Sequence, residues 1–113
     1  GDDTTPAANA FAEGFKAWLK EDSARLTDNS NSEEISAVTA CGYDAYMAIY
    51  YALDKAQSTD GATLRDALAA LDVPGLVTGD LKFDENGDAI KSYAIIKTAT
   101  TEGFVFADSV AIE

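Results

Sequence analysis

The sequence predicts an α/β chain in which three helices are followed by three or more strands. Apolar residues recur at helical spacing through the first two thirds, whereas β-branched and aromatic residues dominate after residue 75. Asn86-Gly87 and Glu102-Gly103 separate the later apolar runs, where hairpin turns are expected. The 113 residues are enough for one domain with a modest core.

The first predicted helix covers about residues 6–22. Thr5 is placed to cap its first amides, and Pro6 occupies the first turn, where its missing N–H costs nothing. The apolar face consists of Phe11, Phe15, Trp18 and Leu19. The stretch SARLTDNSNSEE is polar and rich in turn formers, so it predicts a connecting loop.

The second predicted helix covers about residues 33–57. Either Asn31 with Glu34 or Ser30 with Glu33 has the spacing of a capping box at its start. Its broad apolar face comprises Ile35, Val38, Gly42, Ala45, Tyr46, Ile49, Ala52, Leu53 and Ala56.

The third predicted helix covers about residues 60–72, with cap candidates at residues 58–60 and a stop at Pro74-Gly75. Its buried side is formed by Leu64, Ala67, Leu68 and Leu71. The stretches LVTGDLKFD, AIKSYAIIKTAT and GFVFADSVAI then predict at least three strands within residues 76–111.

The charge of the chain excludes several partners. Twenty acidic residues against eight basic ones give a net charge of −12, which repels nucleic acid and anionic membrane surfaces. The absence of histidine removes the commonest general base and metal ligand. One cysteine, Cys41, excludes an internal disulfide, and its apolar surroundings predict a buried, inert thiol. No apolar run approaches the roughly 20 residues of a membrane helix.

The acidic stretch LKFDENGDAIK could be a calcium loop, a carboxylate cluster or a turn. Asp84, Asn86 and Asp88 satisfy the first ligand positions of an EF-hand. Ala89 and Ile95 occupy the positions that need Gly and a bidentate Glu. The stretch therefore predicts a solvated turn, with its glycine placed as in a type I′ turn, and no metal site.

No residue pattern indicates catalysis. Asp44 lies between Tyr43 and Tyr46, where a structural role is more common than acid–base chemistry. Tyr43, Tyr46 and Tyr50 share one side of the second helix, and Tyr51 points about 100° away. These rings suit either core packing, the more common role, or ligand stacking. Because phosphate loops and nucleophile elbows are also absent, the sequence favours binding without a cofactor over an enzyme.

Three consecutive stretches carry a family resemblance: GYDAYMAIYYALDKAQSTDGATLRDAL, GLVTGDLKFDENGDAIK and YAIIKTATTEGFVF. Together they resemble the C-terminal third of the leucine/isoleucine/valine-type binding proteins of ABC importers. These proteins have the type I periplasmic-binding fold. A sequence signature of this family is matched here by Gly79, Phe83-Asp84 and Gly87-Asp88. The family also has a helix before this region, and it is similar to the stretch PAANAFAEGFKAWLKED. The resemblance therefore covers nearly the whole chain.

The resemblance implies a fragment of a longer, two-lobed protein outside the cytoplasm, in the periplasm or lipid-anchored at the outer cell surface. Residues 1–89 would belong to the first lobe, and residues 90–113 would cross to the second. The whole protein would bind a branched-chain or related amino acid and deliver it to an ABC permease. Val38 aligns with a frequent aromatic cleft contact, and it is the ligand-binding residue that the resemblance carries over.

Two further expectations follow from the same resemblance. A ligand-binding sensory domain of a receptor or kinase shares this fold and is the alternative function. The piece itself is expected to self-associate, because its second helix and later strands lack the sheet that would cover them.

Overall fold

The computed structural model describes residues 5–101 and 103–112. These residues form helices α1 (Pro6–Lys20), α2 (Ser23–Asp28), α3 (Ala37–Ala56) and α4 (Gly61–Ala69), followed by strands β1 (Asp72–Leu76), β2 (Gly79–Lys82), β3 (Tyr93–Thr100) and β4 (Gly103–Ala111). The predicted order of helices followed by strands is confirmed, with one additional short helix. Among the described residues, no helix is both long and apolar enough to cross a membrane.

The start of α1 and the start of α4 agree with their predicted caps. Thr5 Oγ1 accepts a hydrogen bond from the Ala8 amide at 3.1 Å. Asp60 Oδ2 accepts one from the Thr63 amide at 3.0 Å. Each cap satisfies an amide that the first helical turn leaves without a backbone partner.

The segment between α1 and α3 differs from the predicted loop. Asp22 Oδ1 accepts the Ala24 amide at 2.8 Å and starts the short helix α2. Ser30 and Asn31 then take left-handed φ angles of 58° and 54°, so they end this turn and do not cap the next helix. The predicted capping boxes are therefore wrong, and the hydroxyl of Ser36 caps α3 instead.

Strand β1 begins before the predicted helix stop and contains Pro74 and Gly75. β1 pairs with β2 in antiparallel orientation, with Val73 opposite Leu81. The pairing is irregular after Val73, where Gly75 has a φ of 69° and donates its amide to Asp80 Oδ1 at 2.8 Å. Proline is tolerated at such an irregularity because it has no amide to donate.

The core lies between α3, α4 and the β1–β2 sheet. Its buried residues are Ala48, Ala52, Ala67, Leu71, Leu76 and Leu81. The predicted apolar face of α3 is rotated, since Val38, Tyr46 and Ile49 are exposed. The alanine side of the helix faces inward because small side chains allow α3 to approach α4 and β1–β2 closely. We call residues 5–89 the body.

Strands β3 and β4 form a second antiparallel sheet, here called the hairpin. Tyr93 pairs with Ala111 and Thr100 with Gly103, with a register shift after Ile96. The predicted Glu102-Gly103 turn is only partly described: Gly103 opens β4, and Glu102 lies outside the described residues. Every residue of β4 is exposed.

The chain is extended for its length. Its radius of gyration is 16.4 Å, whereas a compact chain of this length has about 13 Å. The accessible surface is 8053 Å², whereas a compact monomer of this mass exposes about 5,900 Å². The hairpin accounts for part of this difference, because its strands pack mainly against each other.

Candidate functional site

An open groove of about 700 Å³ lies between α1, α3 and β1. Its lining comprises Ala7, Ala10, Phe11, Gly14, Phe15, Trp18, Tyr43, Met47, Tyr51, Gly75, Leu76 and Val77. No Asp, Glu, Lys or Arg is among these residues. The groove can hold apolar or aromatic groups, but it offers no side-chain charge to the ammonium and carboxylate of an amino acid.

Aromatic rings form a continuous series along the groove. Phe11 lies with its ring centroid 5.8 Å from that of Phe15 and 5.0 Å from that of Tyr43, which joins α1 to α3. Phe15 in turn lies 5.7 Å from Trp18. Helical spacing on α1 brings the three α1 rings to one side, as the sequence predicts. Three of the four residues of the predicted apolar face of α1 thus line the groove, and the fourth, Leu19, is buried.

Arg25 closes one end of this series. Its guanidinium carbon lies 4.6 Å from the centroid of the Trp18 ring, a cation–π distance. Its Nη1 also donates to the Trp18 carbonyl oxygen at 3.0 Å and to Glu21 Oε2 at 2.9 Å. This contact was not predicted from the sequence, because the polar stretch that contains Arg25 predicts a loop. The helix cap at Asp22 is the signal that could have found it.

The tyrosines of α3 do not share one environment. The Tyr43 ring contacts the Phe11 ring at an interplanar angle of 49°, and Tyr51 is half-buried against the core. Tyr46 and Tyr50 are 70% and 55% exposed, so the predicted core packing is wrong for these two. They lie on the side of α3 that faces away from the body's core, because Ala48 and Ala52 occupy the inward side.

Asp44 is a structural residue. It is buried, with 4% of its surface exposed. Its Oδ1 accepts the Val77 amide at 3.0 Å and its Oδ2 accepts the Thr78 amide at 2.7 Å. These bonds attach α3 to the turn between β1 and β2. The carboxylate is therefore fully engaged with backbone donors, in agreement with the predicted structural role.

The acidic stretch is a turn, as predicted. The Gly87 amide donates to the Asp84 carbonyl oxygen at 3.1 Å, and Phe83 forms an isolated bridge with Ala89. Gly87 has a φ of 87°, but Asn86 does not have a positive φ, so the expected type I′ geometry is wrong. The arrangement matches a turn followed by a left-handed glycine.

The side chain of Asp84 is bonded within this turn. Its Oδ1 accepts the amides of Asp88 at 2.9 Å and Asn86 at 2.8 Å. The hydrogen bond from the Asp88 amide, followed by that from Asn86, holds the pKa of Asp84 below its ordinary value of 3.8. Within residues 5–101 and 103–112, no group of three or more acidic or cysteine side chains is arranged to hold a metal ion.

Cys41 is exposed, which contradicts the predicted core thiol. The reason is the rotation of α3, which turns Asp44 and Ala48 inward. Cys41 borders a second pocket of about 200 Å³ that also includes Asp44 and Lys91. Lys91 Nζ donates to Thr78 Oγ1 at 2.9 Å, so this amine also stabilises the turn after β1.

Val38 lies in the first turn of α3 and is 79% exposed. It lines neither the groove nor the second pocket. Its solvent-facing position leaves room for a ligand on the body's surface, and its role as a cleft contact stays a prediction.

Comparison with known proteins identifies the fold. A family model described as the receptor family ligand binding region matches residues 4–101. The crystal structure of the leucine binding protein LivK from Thermotoga maritima matches with a TM-score of 0.74 and 24% sequence identity. The match covers 97% of this chain and 28% of that protein. No curated protein sequence matches the chain. The predicted fold class is confirmed: the chain has the fold of one part of a type I periplasmic binding protein.

Proposed function

Since the chain belongs to the receptor family ligand binding region, we propose that it is part of a solute-binding protein that serves an ABC importer. The observation that carries this proposal is the match of 97% of the chain to a leucine binding protein. In this role the whole protein works outside the cytoplasm, binds without catalysis and delivers its solute to a permease.

The solute class that we propose is a branched-chain or related amino acid. The apolar groove supports placing the polar contacts elsewhere, because its lining carries no charged side chain. An amino acid bound there would lose hydration at both charged groups without gaining a charged partner. We therefore assign the ammonium and carboxylate contacts to parts of the whole protein beyond residues 1–113, with Val38 as the contact contributed by this chain.

The two lobes divide near residue 89 in this proposal, with residues 1–89 in the first lobe and 90–113 in the second. The strand pairing supports a division close to this residue. The hydrogen bonds to the body reach only slightly past residue 89, since the Ile90 amide still donates to the Lys82 carbonyl oxygen at 2.8 Å, next to the bridge between Phe83 and Ala89. The next strand, β3, pairs with β4 and no longer with the body.

A sensory ligand-binding domain is the second candidate, and the description of the matching family as a receptor region favours it. The two functions predict different whole genes. A lipoprotein leader without further domains supports transport, whereas a membrane span followed by a signalling domain supports sensing. Sequencing outward from both ends of this chain distinguishes them.

The test of binding is calorimetric titration of the whole encoded protein with leucine, isoleucine and valine. We expect micromolar or tighter binding of at least one of them, and none to residues 1–113 alone, because a cleft excludes water only when both lobes close. Failure of the whole protein to bind any amino acid would contradict the proposed solute class.

Val38 is tested in the same protein. Val38→Tyr introduces an aromatic ring at the proposed cleft contact and should change the dissociation constant about tenfold, the effect of one well-placed contact. The matched control is Val110→Tyr in the hairpin, which should leave the dissociation constant unchanged. If Val38→Tyr, Val110→Tyr and the original protein have the same dissociation constant, Val38 is not part of the binding site.

A further inference from the structure

The chain leaves the body through a short segment, residues 90–92, which we call the crossover segment. Its first residue is still bonded to the body, since the Ile90 amide donates to a carbonyl oxygen of β2 at 2.8 Å. Its last residue is bonded to the hairpin, since the Ser92 carbonyl oxygen accepts the amide of Ile112, directly after β4, at 2.9 Å. The backbone of Lys91, between these two bonds, is therefore the link at which the direction of the hairpin can change.

The side chain of Lys91 is half-buried and binds back to the body. Its Nζ donates to Thr78 Oγ1 at 2.9 Å, and the carbonyl oxygens of Thr78 and Asp80 accept from it at 3.3 Å and 3.5 Å. All three acceptors lie where β1 turns into β2. An ammonium group carries three N–H donors, so this amine has an acceptor for each of them.

The turn that binds Lys91 is itself attached to α3. The Thr78 amide donates to Asp44 Oδ2 at 2.7 Å, and Asp44 is buried. Thr78 thus joins a carboxylate of α3 on one side to the ammonium group of Lys91 on the other. Hydrogen bonds to ionised groups are about twice as strong as neutral ones. Two such bonds therefore connect the crossover segment to a helix that lines the body's core.

The hairpin packs mainly against itself, so its direction depends on few contacts with the described part of the body. One of them is the Tyr93 hydroxyl, which lies 3.7 Å from the position that a Cβ on Gly79 would occupy. The first ring of β3 thus approaches the same turn that Lys91 binds. Loss of the Lys91 hydrogen bonds would leave the direction of the hairpin to packing of this kind.

We propose that Lys91 is a positioning residue that fixes the direction of the hairpin relative to the body. Its role in solute binding rests on the proposed function, in which residues 90–113 belong to the second lobe and Lys91 holds the crossover between the lobes in one orientation. A crossover held in this way lowers the ordering cost that binding must offset when the lobes close. In that role Lys91 raises the affinity for an amino acid without contacting it.

Distances between two spin labels test the positioning in the 113-residue chain. The labels are attached to Asp54→Cys on α3 and Thr98→Cys on β3, two exposed positions, and Cys41→Ser removes the native thiol. We expect a single narrow distance distribution. Lys91→Met should broaden it, because this change keeps the length of the side chain and removes its three donors. The matched control Lys82→Met removes a lysine that bonds an aspartate within the body's sheet and should leave the distribution narrow.

Lys91→Arg keeps a charged donor and should give a narrower distribution than Lys91→Met, which a role in packing alone would not produce. Circular dichroism of the helices verifies that the variants fold. An unchanged distribution in Lys91→Met, or equal broadening in Lys82→Met, would overturn the proposal.

The whole encoded protein tests the consequence for binding, by titration with leucine, isoleucine and valine. Lys91→Met should raise the dissociation constant about tenfold, as when the binding-competent fraction falls to about one tenth. Lys82→Met should leave the dissociation constant unchanged. An unchanged constant in Lys91→Met would overturn the role of Lys91 in binding. If the original protein binds no amino acid, the proposed function fails, and the distance distributions still decide whether Lys91 positions the hairpin.

Discussion

The body and the hairpin each contain a two-stranded antiparallel sheet with apolar side chains, yet only the sheet of the body is covered. Leu81 of β2 is 7% exposed, whereas Val110 of β4 is 49% exposed. The two residues lie in antiparallel pairs of similar chemistry, and the difference is that α3 and α4 cover one sheet. Local pattern therefore predicts that a strand forms, but a second element decides whether its side chains are buried.

Specific polar contacts fix the body's elements relative to one another. Asp44 joins α3 to the turn between β1 and β2. Lys55 Nζ donates to the Ala70 carbonyl oxygen at 2.7 Å and joins α3 to the end of α4. Within the hairpin, Thr100 Oγ1 donates to the Gly103 carbonyl oxygen at 2.7 Å and joins β3 to β4. Toward the body, the Tyr93 hydroxyl approaches Gly79. The body is accordingly expected to be the more stable unit.

Truncation of one apolar side chain in each region gives the largest expected difference. Leu81→Ala leaves a cavity in the core and should lower the free energy of unfolding by about 3–4 kcal/mol. Val110→Ala removes a half-exposed side chain and should cost about 0.5 kcal/mol or less. Chemical denaturation measures both. Equal losses would show that the hairpin is covered as well as the body.

Removal of the hydrogen bonds between Asp44 of α3 and the β1–β2 turn gives the second largest expected loss of stability. Asp44→Ala leaves the Val77 and Thr78 amides without their acceptor, which should cost about 2–3 kcal/mol. Asp54→Ala is the matched control, since it removes the same group from an exposed position of the same helix. Thermal unfolding should separate the two variants clearly. A loss no larger than that of the control would show that Asp44 does not hold the turn.

Most of the fold was predictable because caps and periodicity act locally. Thr5, Pro6 and the apolar spacing of α1 defined a helix without knowledge of its neighbours. The family resemblance then identified the fold that the comparisons confirm. The rotation of α3 was not predictable in this way. Both sides of that helix are apolar, and the hydrogen bonds of Asp44, 33 and 34 residues away in sequence, select the side that turns inward.

The candidate site was less predictable than the fold. The groove depends on the approach of Phe11 to Tyr43, which lie on different helices joined by a segment predicted as a loop. Its charge-free lining also became apparent only when three elements were placed together. Val38, by contrast, came from a family alignment alone and stays a prediction.

The smallest expected effect concerns stability in acid and tests whether a helix cap and a local turn stabilise the body. The hydrogen bond from the Thr63 amide, followed by that from its hydroxyl, lowers the pKa of Asp60 from its ordinary value of 3.8. A lowered pKa in the folded state means that the unfolded chain binds the proton more readily. The resulting stability is therefore complete above the unfolded pKa and is lost as pH falls through the folded one.

Asp84 has a lowered pKa for the same kind of reason, so the same sign applies. We expect Asp60→Asn and Asp84→Asn each to weaken the decrease in melting temperature below about pH 4, because an amide cannot titrate there. Near neutral pH the changes should be small, since both carboxylates are at the surface. Asp54→Asn controls for the loss of one negative charge. If Asp54→Asn weakens the decrease in melting temperature as much as the other two variants do, general repulsion in this acidic chain causes the effect. The hydrogen bonds of the α4 cap and of the Asp84 turn would then not be its cause.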